Sequence, residues 1–149
     1  MEKKLVLLVE DNPDDAALAL RTLSRGDVPI EVVVVRDGVE AQDYLFGGRE
    51  PERNPPGPLP DLVLLDLKLP RVDGQEVLRL IRSHPCTQLI PVVVLTSSDE
   101  RHDLERCYEL GANSYVRKPV DFTQFSQAVG QMSNYWLRLN RCPPLRGAI

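Results

Sequence analysis

The chain has 149 residues, a hydrophobic share of 42% and a net charge of −4, which suits one domain built around a single substantial core. No run reaches the ~18 apolar residues of a membrane span, and no compact Lys/Arg stripe offers a nucleic-acid surface. The acidic balance fits a site that recruits a cation.

The N-terminus MEKKLVLLVEDN lacks a secretory pattern, which predicts a cytoplasmic protein. Leu5–Val9 is the first of five short apolar, β-branched-rich runs. A helix should follow it. Asn12 can cap, Pro13 suits the first helical position, and Asp14 and Asp15 favour the positive end of the dipole. This helix should run to about Ser24, with Gly26 as its stop. Glu31–Val35 reads as the second strand and Gly38–Phe46 as the second helix.

Residues 47–60, GGREPERNPPGPLP, hold five prolines and three glycines. They predict a surface loop of polyproline character inserted before the third strand, Leu62–Leu65. Further elements are a helix over Gly74–Ser83 ended by Pro85, a strand over Pro91–Leu95 and a helix over Asp99–Leu110 ended by Gly111. A strand over Ser114–Val116 precedes a last helix that opens at Asp121 and runs to about Asn140. Residues 1–140 would be one domain and 141–149 a tail.

Runs apolar at nearly every position suggest strands buried on both faces, and strands alternating with helices suggest a parallel sheet. The expected fold is α/β, a doubly wound (βα)5 flavodoxin-like sandwich with strand order 2-1-3-4-5. Ligands in such sheets bind outside the carboxyl ends of the strands, near the switch between strands 1 and 3.

That rule gives meaning to Asp66, which ends the apolar run Leu62–Leu65 with a carboxylate. Glu10 and Asp11 end the first strand in the same way. Two unit charges about 5 Å apart repel by roughly 3 kcal/mol at an effective dielectric of 20. Either one carboxyl stays protonated or a cation joins the three, and hard oxygen ligands suit Mg²⁺ or Mn²⁺. Glu10 and Asp11 also fit a plainer role as solvent-facing acids at a helix start; Asp66 does not. The fourth strand ends in Thr96-Ser97-Ser98 and the fifth in Arg117-Lys118-Pro119, so a hydroxyl and a mobile cation belong at the same sheet edge. A carboxylate nucleophile, a divalent metal, a lysine and N–H donors can together hold a phosphoryl group in transfer.

The ordered pieces LLVEDN, LLDLKLPRVDG, VVVLTSS and ANSYVRKP span residues 5–119, and this set resembles the bacterial response-regulator receiver domains of two-component signalling, the CheY-like phosphoacceptors. The resemblance implies that Asp66 is phosphorylated by a sensor histidine kinase. It implies that Asp11 binds Mg²⁺ directly, that Glu10 holds the metal's water shell, and that the backbone carbonyl of Lys68 is a further ligand. Thr96 would hydrogen-bond the phosphoryl oxygens and Lys118 would form a charge-assisted bond to them. The Lys118–Pro119 bond would be cis. Tyr115 would be an aromatic switch, turning inward as Thr96 moves and reshaping the surface of helix 4, strand 5 and helix 5. VEDNPDDA, the proline-rich insertion, LGANSYVRKPVDF and YWLRLN are similar to single-domain regulators serving phytochrome-type kinases. Output would then pass through protein contacts or phosphorelay, with at most weak autophosphatase activity.

Phe122, Phe125, Val129, Met132, Trp136 and Leu139 recur at helical spacing. The first half of this stripe reads as core, and the second half, with Tyr135, as a face for a partner helix in a homodimer. Cys86, Cys107 and Cys142 form no metal-ligand pattern and read as reduced thiols filling gaps; His84 and His102 read as surface residues. Other chemistries fit less well. An aspartyl-phosphate-type phosphatase wants a second acid two residues after the nucleophile, where this chain has Lys68. A flavodoxin-like electron carrier wants a phosphate cradle where this chain has the acidic EDNPDD.

Overall fold

The computed structural model describes residues 2–48 and 56–144. Five strands and five helices alternate: β1 (Lys4–Val9), α1 (Pro13–Ser24), β2 (Ile30–Val35), α2 (Gly38–Phe46), β3 (Leu62–Leu65), α3 (Gly74–Ser83), β4 (Val92–Thr96), α4 (Arg101–Glu109), β5 (Ser114–Arg117) and α5 (Phe122–Asn134). All strand pairs are parallel, in the order β2-β1-β3-β4-β5. The flavodoxin-like architecture expected from the sequence is therefore present. Among the described residues no helix is long and apolar enough to cross a membrane.

The sheet separates two apolar cores. Leu7, Val9, Val63, Leu65, Val92 and Val94 face one side, with Val77, Leu78 and Ile81 of α3 and Ala41 and Leu45 of α2. Val6, Leu8, Leu62, Leu64, Val93 and Leu95 face the other, against Leu23 of α1 and Phe125 and Val129 of α5. Successive strand residues point to opposite faces, so a strand covered on both sides must be apolar throughout. The three inner strands obey this over Leu5–Val9, Leu62–Leu65 and Val92–Leu95, and the edge strands β2 and β5 are only partly buried.

Side-chain caps explain most of the helix starts. Asn12, Asp37, Asp73 and Asp121 each accept a backbone N–H from the first turn of the helix that follows. The helix α4 departs from this pattern and starts two residues later than expected. Its N-cap Glu100 makes no side-chain cap bond. Ser98 takes over the local bonding instead: its hydroxyl donates to Asp103 at 2.6 Å and accepts Glu100 N–H at 3.3 Å.

The last helix is also not one continuous α-helix to Asn140. After Asn134 it widens into a π-helical turn over Tyr135–Leu139, closed by Asn140 N–H on the Tyr135 carbonyl at 2.6 Å. A π turn holds an extra residue and so rotates the faces that follow it. Phe125 and Val129 are buried as expected; Met132, placed with the partner-facing half, is buried too, and within the turn Leu137 is buried while Leu139 is exposed and Trp136 is half-buried. Phe122, at the head of the expected stripe, is also exposed.

Other expectations need correction. No peptide bond is cis among the described residues, so Lys118–Pro119 is trans; a tertiary amide leaves the two isomers close in energy, and sequence alone does not choose. His84 is half-buried, stacked on Phe46 at 4.1 Å with Nδ1 on the Leu80 carbonyl, whereas His102 is exposed. Of the three thiols only Cys107 fills the core, where burial pushes it up to about 11; Cys142 is exposed. Residues 49–55 of the proline-rich insertion and 145–149 of the tail lie outside the described residues.

Candidate functional site

Parallel register brings the acids together. Val9 of β1 pairs with Leu65 of β3, so Glu10 and Asp66 leave the sheet at the same level. Asp66 N–H donates to the Val9 carbonyl at 3.0 Å and fixes that junction. On the other side, Thr96 of β4 pairs with Arg117 of β5, which puts Lys118 one step past the sheet, its N–H on the Thr96 carbonyl at 2.7 Å. Helix α3 closes in behind. A Cβ at Gly74 would collide with the Asp66 carbonyl, so only glycine lets α3 begin so close to the acceptor strand.

Glu10, Asp11 and Asp66 each offer a carboxylate oxygen, and these atoms lie within 4.8 Å of one another. Glu10 and Asp66 are 3% and 7% exposed, whereas Asp11 lies at the open rim. The cation demanded by such a cluster is supplied in part by the chain itself. Lys118 Nζ lies 2.6 Å from Glu10 Oε1, 2.9 Å from Asp15 Oδ2 and 3.1 Å from Asp66 Oδ2. Burial pushes the Glu10 carboxyl up to about 7; the hydrogen bond from Lys118 opposes this and the Asp66 charge reinforces it. Burial by itself would depress the Lys118 ammonium, but its bonds to Glu10 and Asp15 and the charge of Asp66 outweigh that and move it upward.

The donor set fits a hard divalent ion. Among the described residues Asp11 makes no side-chain hydrogen bond or ion pair, and Lys118 engages one oxygen each of Glu10 and Asp66. The remaining oxygens accept only long backbone bonds, Asn12 N–H on Glu10 Oε2 at 3.3 Å and Lys68 N–H on Asp66 Oδ1 at 3.4 Å. All-oxygen ligands at a wet rim suit Mg²⁺ or Mn²⁺.

Thr96 is fully buried, and its Oγ1 accepts Ser98 N–H at 3.3 Å. Tyr115 lies inward, half-buried beside the α3 core, and its hydroxyl donates to the Ser98 carbonyl at 3.0 Å. Ser98 therefore touches Thr96, Tyr115 and, through Asp103, helix α4. Asp103 also accepts Gln75 Nε2 of α3 at 3.1 Å. The side chain of Lys68 is exposed and contributes no contact to the acids.

Sequence reasoning used Asp15 only as a helix-dipole acid, and it missed the third partner of Lys118. No local spacing marked it, because Asp11 precedes the N-cap Asn12 and the contact joins α1 to the segment after β5. The Ser98–Asp103 bond gave no signal either, because it depends on where α4 begins.

Residues 6–130 match the family model described as the response regulator receiver domain. The chain is 43% identical over 143 residues to the "Probable methanogenesis regulatory protein FilR2" of Methanothrix harundinacea, covering 93% of this chain and 87% of that one. It is 37% identical over 140 residues to response regulator Rcp1 of Synechocystis sp., covering 94% and 93% of the two chains. The solved Mn²⁺-bound form of Rcp1 superposes with a TM-score of 0.86, over 95% of this chain and 99% of that one. The phosphorylated cyanobacterial phytochrome response regulator RcpA, 42% identical, superposes with a TM-score of 0.88 over 96% of this chain and all of that one.

Proposed function

Since the chain belongs to the response regulator receiver domain family, we propose that it takes a phosphoryl group from a sensor histidine kinase onto Asp66 and relays the signal by protein contacts or phosphorelay. The observation that carries this reading is the meeting of Asp66, Glu10, Asp11 and Lys118 at the carboxyl end of β3. The similarity to RcpA, a cyanobacterial phytochrome response regulator, supports a phytochrome-type kinase as donor.

An Asp66 carboxylate oxygen attacks phosphorus in line with the phosphohistidine nitrogen. The new O–P bond forms as the N–P bond breaks, and the leaving imidazole keeps the electron pair. Lys118 offsets the charge on the transferred group, and Thr96 Oγ1 donates to one of its oxygens. Glu10, Asp11, Asp66 and the Lys68 carbonyl would hold Mg²⁺ or Mn²⁺, which neutralises the crowded anions and orients the phosphoryl oxygens. The Mn²⁺-bound form of Rcp1 supports that choice of ion.

The product is an acyl phosphate in place of a monoanion. Its oxygens draw Thr96, Ser98 follows through its N–H, and the Tyr115 hydroxyl follows the Ser98 carbonyl. The result is a shifted balance between two packings of α4, β5 and α5. The protein is a phosphoacceptor with at most weak autophosphatase activity, works in the cytoplasm and forms a homodimer through α4, β5 and α5. Exposed Leu104, Tyr108 and Phe122 on these helices support the dimer.

Phosphotransfer from radiolabelled candidate kinases tests the reading. Asp66→Asn is expected to abolish labelling while the circular dichroism spectrum is unchanged, and a label found on another residue overturns the assignment. Sedimentation equilibrium with and without acetyl phosphate tests the dimer, and a monomer under both conditions removes it.

A further inference from the structure

Resting on the phosphoacceptor reading of this site, we propose that Asp15 is a positioning residue that holds an N–H of Lys118 and releases it when the phosphoryl group arrives. Asp15 lies outside the residues that the family resemblance assigns, and its side chain nevertheless reaches Lys118 Nζ at 2.9 Å, closer than Asp66 at 3.1 Å.

An ammonium has three donors and no acceptor. Lys118 lies among three carboxylates: its Nζ donates to Asp15 and Asp66 and sits 2.6 Å from Glu10 Oε1. The ammonium is enclosed by these three groups, so a phosphoryl oxygen reaches it as one of the contacts opens. Glu10 is 3% exposed, so water does not readily replace the lysine there. Asp66 remains beside Lys118 because it carries the incoming group. The side chain of Asp15 is 26% exposed, and water can take over its oxygen as the lysine leaves. Asp15 is the partner that exchanges.

The helix start aims this carboxylate. Asp15 N–H donates to the Asn12 cap at 3.1 Å, which holds the residue in the first turn of α1 with its side chain over the site. Its charge also adds a fourth carboxylate near the point where an anionic phosphodonor must approach. Asp15 therefore restrains phosphorylation in two ways: it occupies a donor and repels the donor molecule.

Acetyl phosphate at saturating Mg²⁺ gives the test. In the labelling step an Asp66 oxygen bonds to phosphorus, the bridging P–O bond breaks, and acetate leaves with the electron pair. The wild type, Asp15→Asn, Asp15→Ala, Asp15→Glu and Asp66→Asn are compared for labelling rate, with thermal melts as the fold control. Asp15→Asn and Asp15→Ala are expected to label about three- to tenfold faster. Asp15→Glu is expected to return toward the wild-type rate, which a merely structural role for Asp15 would not require. Removing the extra anion should also lower the half-saturating acetyl phosphate concentration. Unchanged or slower labelling in Asp15→Asn, with Asp66→Asn unlabelled, overturns the role of Asp15 and leaves the phosphoacceptor reading intact. Persistent labelling of Asp66→Asn overturns the reading on which it rests.

Discussion

The Tyr115 hydroxyl donates to the Ser98 carbonyl at 3.0 Å, across the gap between β5 and the loop that leads into α4. The bond ties an aromatic side chain at the helix-facing surface to the residue whose N–H meets Thr96 Oγ1. Tyr115→Phe keeps the ring and loses the tie. A loss of about 1 kcal/mol is expected in urea unfolding. Amide exchange should rise at residues 97–100 and stay unchanged in β1 and β3; uniform exchange across the chain would contradict a local link.

The Glu10 carboxyl sets a pH dependence. Burial raises it from 4.5 to about 7 in the folded protein. Between these values the folded state holds a proton that the unfolded state has lost, so stability falls as pH rises from about 4.5 through 7. The full effect is on the order of 3 kcal/mol. The Lys118 ammonium is shifted upward, so its contribution is complete throughout this window and fades only above its ordinary alkaline range. Urea midpoints in EDTA should drop between pH 5 and pH 7.5, and Glu10→Gln should flatten that slope.

The same proton competes with a divalent ion. Binding Mg²⁺ to the Glu10 site requires the carboxylate, so affinity measured by calorimetry should rise with pH through 7 and level off above it. Proton release, read from the buffer dependence of the heat, should be largest near pH 6 and vanish in Glu10→Gln.

Lys118→Met leaves Glu10, Asp15 and Asp66 facing one another without their shared cation. Loss of one partner from a buried charge cluster costs about 3–5 kcal/mol. The melting temperature should fall more at pH 7.5 than at pH 5, where Glu10 takes up a proton, and Mg²⁺ should recover part of the loss at pH 7.5.

Away from the site, Arg82 pins the end of α3 to the entry of β4 and the turn before β5. Its guanidinium donates to the carbonyls of Gly111, Gln88 and Ile90 and to Asn113 Oδ1, at 2.7 to 3.1 Å. Arg82→Met should cost about 3 kcal/mol in urea unfolding. Arg82→Lys should recover only part of it, because a single ammonium cannot span four acceptors arranged around a fork.

Much of this architecture was legible in the residues. The inner strands announce themselves as unbroken apolar runs, and Asn12 and Asp121 mark helix starts by chemistry that acts over three or four residues. Asp66 stood out because a carboxylate at the end of such a run needs a reason. Features decided by packing between distant segments were not legible. Asp15 reaches Lys118 across 103 positions of sequence. The π turn at Tyr135–Leu139 turns Leu137 inward where a regular helix would present other side chains. The late start of α4 follows from Ser98 bonding Asp103 ahead of any cap at Glu100.

The shared level of Glu10 and Asp66 in the sheet has a consequence for how insertions are tolerated. Side chains alternate between the two cores, so sliding β3 by a single position would bury Asp66 beneath a helix and bring a leucine to the mouth. Length changes in the segment between α2 and β3 leave that alignment alone, since the strand is seated by its leucines and valines. One residue added or deleted within Leu62–Leu65 would disable the chemistry at once, and evolution is free to lengthen the connection but not to miscount the strand.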